Sequence, residues 1–252
     1  MPKLEVRLRD AISGSLGESR SDVWFRYDVA VVADDNGSPV SPRAISVRLP
    51  VTAATYGHAA TLAFFDNLLL ESETRAELAR LDHRESTDVC GLLRRVGAEC
   101  AGALSIRPHG ALPPSVDTYR QFSQSEIESL FDERHGERFM QAIIDSQQVM
   151  SGVQRKLVFR SHADAWYLPL DGAASTHIMK RSSGRYDGLV ANELACLRLF
   201  AVCGLPVPEA APLGPALQWS DGLVKPRLIV VKRFGRVAST FSVTPTDCVA
   251  NA

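Results

Sequence analysis

Apolar and polar residues alternate at the start of the chain, with Leu4, Val6 and Leu8 set against Glu5, Arg7 and Arg9. A period of two places the apolar side chains on one face, which predicts a half-exposed β-strand. Ser13, Gly14, Ser15 and Gly17 then read as a polar turn region. Trp24 to Val32 is aromatic and β-branched and predicts a further strand, closed by the turn residues Asp34-Asp35-Asn36-Gly37. Ile45, Val47 and Leu49 alternate again before Pro50. The first 50 residues therefore predict a small antiparallel β-unit.

The period changes after that. Residues 62–69 are apolar on one side, and Leu78 and Leu81 within Ser72 to Leu81 have amphipathic-helix spacing. Thr87-Asp88 is a cap for a short helix carrying Val89, Leu92, Leu93 and Val96 and stopped at Gly97. Cys100 to Ile106 is a small apolar strand candidate, and Arg107 to Ser115, with Pro108, Pro113 and Pro114, predicts a linker. Ser125 and Glu128 have capping-box spacing at the start of a helix with Ile127, Leu130 and Phe131 inward, which Gly136 interrupts. From about residue 143 short strands dominate, at Leu157–Phe159, Trp166–Leu168, His177–Met179 and Leu228–Val231. One helix lies among them, Asn192 to Cys203, with Leu194, Leu197, Ala201 and Val202 as its apolar stripe, Gly204 as its stop and Pro206 and Pro208 as its exit.

Composition narrows the class. At 252 residues the chain can hold one large or two modest domains, each with a core. Lys plus Arg number 28 against 29 Asp plus Glu, so no basic block argues for nucleic-acid or membrane binding, although a local basic face is compatible with that balance. Cys90, Cys100, Cys196, Cys203 and Cys248 match no CxxC or zinc pattern. Cys196 and Cys203, seven apart in the predicted helix, share a face, and packing is the expected role there. A charged N-terminus and the lack of any apolar run of ~20 residues predict a cytoplasmic protein.

Three segments could carry chemistry. Ser151-Gly152-Val153-Gln154-Arg155-Lys156 is a glycine-containing loop feeding a strand, able to aim N–H groups at phosphate oxygens or simply to turn the chain. Lys180 ends the apolar run Thr176-His177-Ile178-Met179, and Glu193 follows on the helix. A strand lysine held by a helix glutamate is how kinases position a cation on nucleotide phosphates. A surface lysine and a first-turn glutamate favoured by the helix dipole account for the same residues. Leu228 to Arg236 is an apolar strand running into a basic segment, fitting a strand beside an adenine edge or a buried strand with solvated charges. The six histidines are scattered without metal-like spacing, and no serine has the His/Asp pattern of a hydrolase.

The order of these segments resembles the HipA family, the kinase toxins of bacterial toxin–antitoxin pairs. The carrying motifs are LAFFDNLLL at 62–70, LLRRVGAECAGALSI at 92–106, SGVQRKL at 151–157, THIMK at 176–180, Asn192-Glu193, GLPVPEA at 204–210 and VKRFGR at 231–236. The resemblance implies an α+β fold: a β-rich subdomain with packed helices over 1–108, a linker and helix over 109–142, and a kinase N-lobe-like sheet with one helix over 143–236. It implies ATP with Mg²⁺, contacted by Ser151, Gly152, Val153, Gln154, Lys156, Lys180, Glu193, Arg233 and Phe234.

Departures from the family pattern set further expectations. RFDR reads Arg233-Phe234-Gly235-Arg236 here, and the place of the family's regulatory serine is Val149, beside Ser146 and Ser151. Residues 237–252 match no family motif, and the catalytic lobe with its aspartates and asparagine is expected to be absent. The expected protein is a truncated HipA-type serine/threonine kinase fragment, inactive alone, with no catalytic residue and no metal ligand assigned. Its alternatives are a non-catalytic regulatory module or one half of a split kinase. The expected partners are a helix-turn-helix antitoxin or a complementary kinase lobe, with no direct nucleic acid and no membrane.

Overall fold

The computed structural model describes residues 3–9, 11–19, 22–34, 41–100, 103–111, 118–152, 154–182, 186–214, 217–218 and 224–233. The chain divides into two compact units, one of residues 1–115 and 147–153, the other of 116–146 and 154–252.

In the first unit β1 (Leu4–Leu8), β2 (Ala11–Ser19), β3 (Asp22–Tyr27) and β4 (Leu104–Pro108) form an antiparallel sheet in the order β3-β2-β1-β4. Leu4, Val6, Leu16, Phe25 and Ile106 line its inner face and are buried. Against that face lie α2 (His58–Phe65) and α4 (Val89–Val96); α1 (Val29–Asp34) and α3 (Ser72–Leu81) complete the helices. Phe25 packs on Tyr27 at 4.9 Å and on Phe65 at 5.4 Å between ring centroids. Asp88 caps α4 by accepting from the Gly91 amide at 2.7 Å, as its sequence predicts.

Three sequence expectations fail here. The polar stretch around Ser13 and Gly17 is not a turn but β2, the strand in the middle of the hairpins. Its glycines are needed because a Cβ on Gly14 would fall 2.3 Å from the Arg26 carbonyl, and one on Gly17 would fall 2.3 Å from the Trp24 ring. Composition alone reads such residues as loop, although close approach of a neighbour also demands glycine in a strand. The strand expected to run from Trp24 to Val32 stops at Tyr27 and gives way to α1, where the Asp28 carboxylate accepts from the Ala30 amide. Residues 45–49 form turns with one isolated bridge, Ser46–Leu49, rather than a strand.

The second unit is built on β5 (Thr118–Phe122), β6 (Lys156–His162), β7 (Ala165–Leu170), β8 (His177–Arg181), β9 (Ala210–Leu213) and β12 (Leu228–Lys232) in the order β5-β7-β6-β8-β12-β9. The two-residue strands β10 (Leu217–Gln218) and β11 (Val224–Lys225) pair separately. One sheet face, with Leu157, Phe159, Leu168 and Met179, is buried with α5 (Gln124–Leu130) and α6 (Gly136–Ser146). The other carries α7 (Leu189–Val202), whose Val190 and Leu194 pack with Ile229 and Val231.

The capping box falls two residues earlier than its expected place. Ser123 and Glu126 form it, because Ser123 still has extended dihedrals (φ −72°, ψ 162°) where β5 ends, whereas Ser125 is already helical. Gly136 does not interrupt a helix; it begins α6. On α7, Val202 is 85% exposed and Ala201 is exposed too, so neither belongs to the buried stripe. Cys196 and Cys203 are likewise exposed rather than packed. Among the described residues no helix is long and apolar enough to cross a membrane.

Candidate functional site

Antiparallel register determines which side chains meet on the second sheet. Lys180 of β8 stands opposite Lys156 of β6 on one side and Ile229 of β12 on the other. Opposed residues share a face, so both lysines lie on the side that bears α7. Two ammonium groups directly opposite one another repel by roughly 0.2–1 kcal/mol unless an anion lies near. Glu193 of α7 supplies one: Lys180 Nζ donates to its Oε1 at 2.6 Å, with both side chains about a quarter exposed (22% and 28%).

The helix dipole does not account for Glu193. Since α7 begins at Leu189, Glu193 lies in the second turn, beyond the reach of the dipole's end effect. The reading in which a helix glutamate holds a strand lysine therefore gains over the first-turn alternative. The start of α7 is tied to the sheet by Ser182, whose hydroxyl accepts from the Val190 amide at 3.0 Å. That contact, together with the Ile229 and Val231 packing, sets where Glu193 lies along the lysine.

The remaining sequence candidates fall into four groups. Gln154 is half-buried and donates from Nε2 to the Arg181 carbonyl at 3.0 Å, fixing the start of β6 against the end of β8. Ser151 and Gly152 belong to the first unit, and Gly152 has φ +108°, a conformation that excludes most side chains. Arg233 turns back along the sheet, donating from Nη1 to Ser175 Oγ at 2.5 Å and from its amide to the Thr176 carbonyl at 2.9 Å. Val153 and Phe234 lie outside the described residues.

Sequence inspection missed the cluster beside Arg233. His177 is half-buried, its ring edge-on to Trp166 at 5.2 Å, its Nδ1 2.8 Å from Thr176 Oγ1, and Lys232 opposite it in register. Burial, aided by the Lys232 charge, lowers its pKa. Lys232 in turn meets Glu209 at 2.9 Å. The pairing of β8 with β12, β6 and, through β6, β7 brings these residues together, and no sequence motif joins them. The donor set of the lysine strip suits a phosphate anion. Among the described residues no group of three or more His, Cys, Asp or Glu side chains could hold a metal ion.

An antiparallel α+β protein with a glutamate-held lysine strip is the class this geometry defines. Residues 4–107 match the HipA N-terminal domain, and residues 149–247 match the HipA-like C-terminal domain. The chain belongs to the HipA-like family. It is 28% identical over 209 residues to Y4mE of Sinorhizobium fredii, covering 80% of this chain and 48% of that protein. To the serine/threonine-protein kinase toxin HipA of Shewanella oneidensis it is 26% identical over 206 residues, covering 81% and 45%. The solved Shewanella oneidensis HipA, in complex with HipB and its operator DNA, shares the fold with a TM-score of 0.64 at 24% identity, over 97% of this chain and 52% of that one. The chain thus spans about half the length of the relatives it matches.

Proposed function

We propose that the second unit is a nucleotide-phosphate holder of HipA type, with Lys180 on the phosphates, Glu193 as its positioning partner and Lys156 adding charge from the neighbouring strand. The observation that carries this is the 2.6 Å contact between Lys180 and Glu193, with Lys156 in register beside it. Gln154 keeps the start of β6 in place against the end of β8. When bound, ATP would bring the transferable phosphoryl group, and this chain's residues would bind and orient it.

Phosphoryl transfer also needs groups that hold Mg²⁺ and orient the acceptor hydroxyl. The residues brought together here bind and orient phosphates, and the polypeptide 1–252 by itself is proposed to bind nucleotide with little turnover. Calorimetric titration of 1–252 with ATP and with tripolyphosphate tests the reading. Binding of both that falls at least tenfold in Lys180→Ala is expected. Binding that is absent at millimolar ligand, or indifferent to Lys180, sinks it. Metal-dependent transfer of the γ-phosphate by purified 1–252, abolished by Lys180→Ala, would overturn the low-turnover part alone.

A second reading has its own support: 1–252 works bound to another chain, as half of a split kinase or as a partner of a helix-turn-helix antitoxin. Leu199, Phe200, Val202 and Leu205 at the end of α7 are 47–85% exposed, and a contiguous apolar surface of this kind favours association. Co-expression with the adjacent reading frames, followed by affinity capture of tagged 1–252, separates the readings. A monodisperse monomer that captures neither neighbour excludes the second.

A further inference from the structure

The first unit's sheet has an outer face opposite its core, and its residues follow from register. Glu5 of β1 pairs with Ser15 of β2 and Arg107 of β4, Ser15 pairs with Arg26 of β3, and Gly17 pairs with Trp24. The Lys3 carbonyl accepts from the His109 amide at the same edge. Alternation therefore puts Lys3, Arg7, Trp24, Arg26 and Arg107 on one surface. The helices that touch this sheet, α2 and α4, pack on the other side.

Two details mark this face as more than solvated charge. Gly17 leaves room for the Trp24 indole to lie across its backbone, since a Cβ there would enter the ring. Lys3 Nζ stands 5.7 Å from that ring's centroid, as in a cation–π contact. Trp24 is only half-buried, while Lys3 and Arg26 are exposed. Of the acids nearby, Glu5 is buried and accepts from Arg7 Nε at 2.6 Å, which neutralises that pair, while Asp22 is exposed at the β2–β3 turn. A near-neutral chain thus carries a basic, aromatic sheet surface whose cations come from three separate strands.

We propose that this outer face binds single-stranded nucleic acid, with a base stacked on Trp24 and backbone phosphates held by Lys3, Arg26 and Arg107. Charge complementarity selects a polyanion, and the flat indole beside the cations selects one with stackable rings over an acidic peptide. Four strands about 4.8 Å apart offer a platform for roughly two or three nucleotides.

The test is fluorescence anisotropy of fluorescein-labelled oligothymidylate and oligouridylate with the 252-residue chain at low salt, the two probes distinguishing DNA from RNA. Binding is expected to weaken with salt at a log–log slope of roughly −2 for three phosphate contacts. Lys3→Glu/Arg26→Glu, both on exposed side chains, should lower affinity at least tenfold, with an unchanged thermal melt confirming the fold. Trp24→Ala should lower it about fivefold or more. No binding of either oligonucleotide at low salt overturns the proposal. So does binding that survives Trp24→Ala and is displaced equally well by polyglutamate, a result that would instead assign the face to an acidic protein.

Discussion

The two units layer helices on an antiparallel sheet, yet they place charge differently. In the first, helices cover one sheet face, and the cations stand on the other beside Trp24. In the second, both faces of the central strands bear helices, and a lysine entering that layer is met by a carboxylate, as Lys180 is by Glu193. An open face can present charge to water at little cost, whereas a covered face can keep charge only with a partner. The contrast explains why one unit offers a flat surface and the other a recessed cation.

Truncating a large ring on each sheet tests that contrast most strongly. Phe159, fully buried in the second unit, should cost about 3–5 kcal/mol as Phe159→Ala in urea denaturation. Trp24→Ala on the open face should cost under about 1 kcal/mol. Equal costs would mean that the outer face of the first sheet is packed like a core.

Next in size is the ion pair. Lys180→Ala and Glu193→Ala should each destabilise by about 1–3 kcal/mol, since each strands a half-buried charge. The double substitution should cost less than the sum, and additivity would show that the 2.6 Å contact carries no coupling. A smaller effect is expected from Gly17→Ala, about 1 kcal/mol, because the added methyl must displace the Trp24 ring. In a Trp24→Ala background that cost should vanish, and its persistence would place the strain in the backbone instead.

The smallest effect is on pH dependence. The folded protein holds His177 below its ordinary pKa, so the unfolded chain takes up a proton first as pH falls. Stability from this group is complete above about pH 6.5 and declines below it, levelling off beneath the lowered folded value. Comparing melts of the parent and His177→Gln between pH 7.5 and pH 5.5, as a range of about two units, should show a shallower decline in the variant.

Legibility in the sequence followed how local each signal was. The strand at Leu4–Leu8 and the Asp88 cap could be read from neighbours in the chain, whereas residues alone left Lys180 and Glu193 open between two readings. The stop of α7 at Gly204, which has φ +75°, could also be read locally. What could not be read depended on distant chain. β2 resembled a loop because its glycines serve Phe25 and Trp24 on the adjacent strand. The capping box was displaced because β5, without strong alternation, fixes where α5 begins. The His177–Lys232 approach and the outer face of the first sheet exist only through strand pairing, so a linear charge count near zero concealed both.

The exposed thiols of α7 have a practical consequence. Cys196 follows Glu193 by three residues, close to one turn of helix, while Cys90 is buried and its thiol is pushed up to about 12. Maleimide dyes react with thiolates, so Cys90 and the buried Cys100 stay unlabelled while Cys196 accepts a fluorophore once Cys203 and Cys248 are changed to serine. A probe seated there would report ligand arrival at the lysine strip through emission, with no engineered attachment point required.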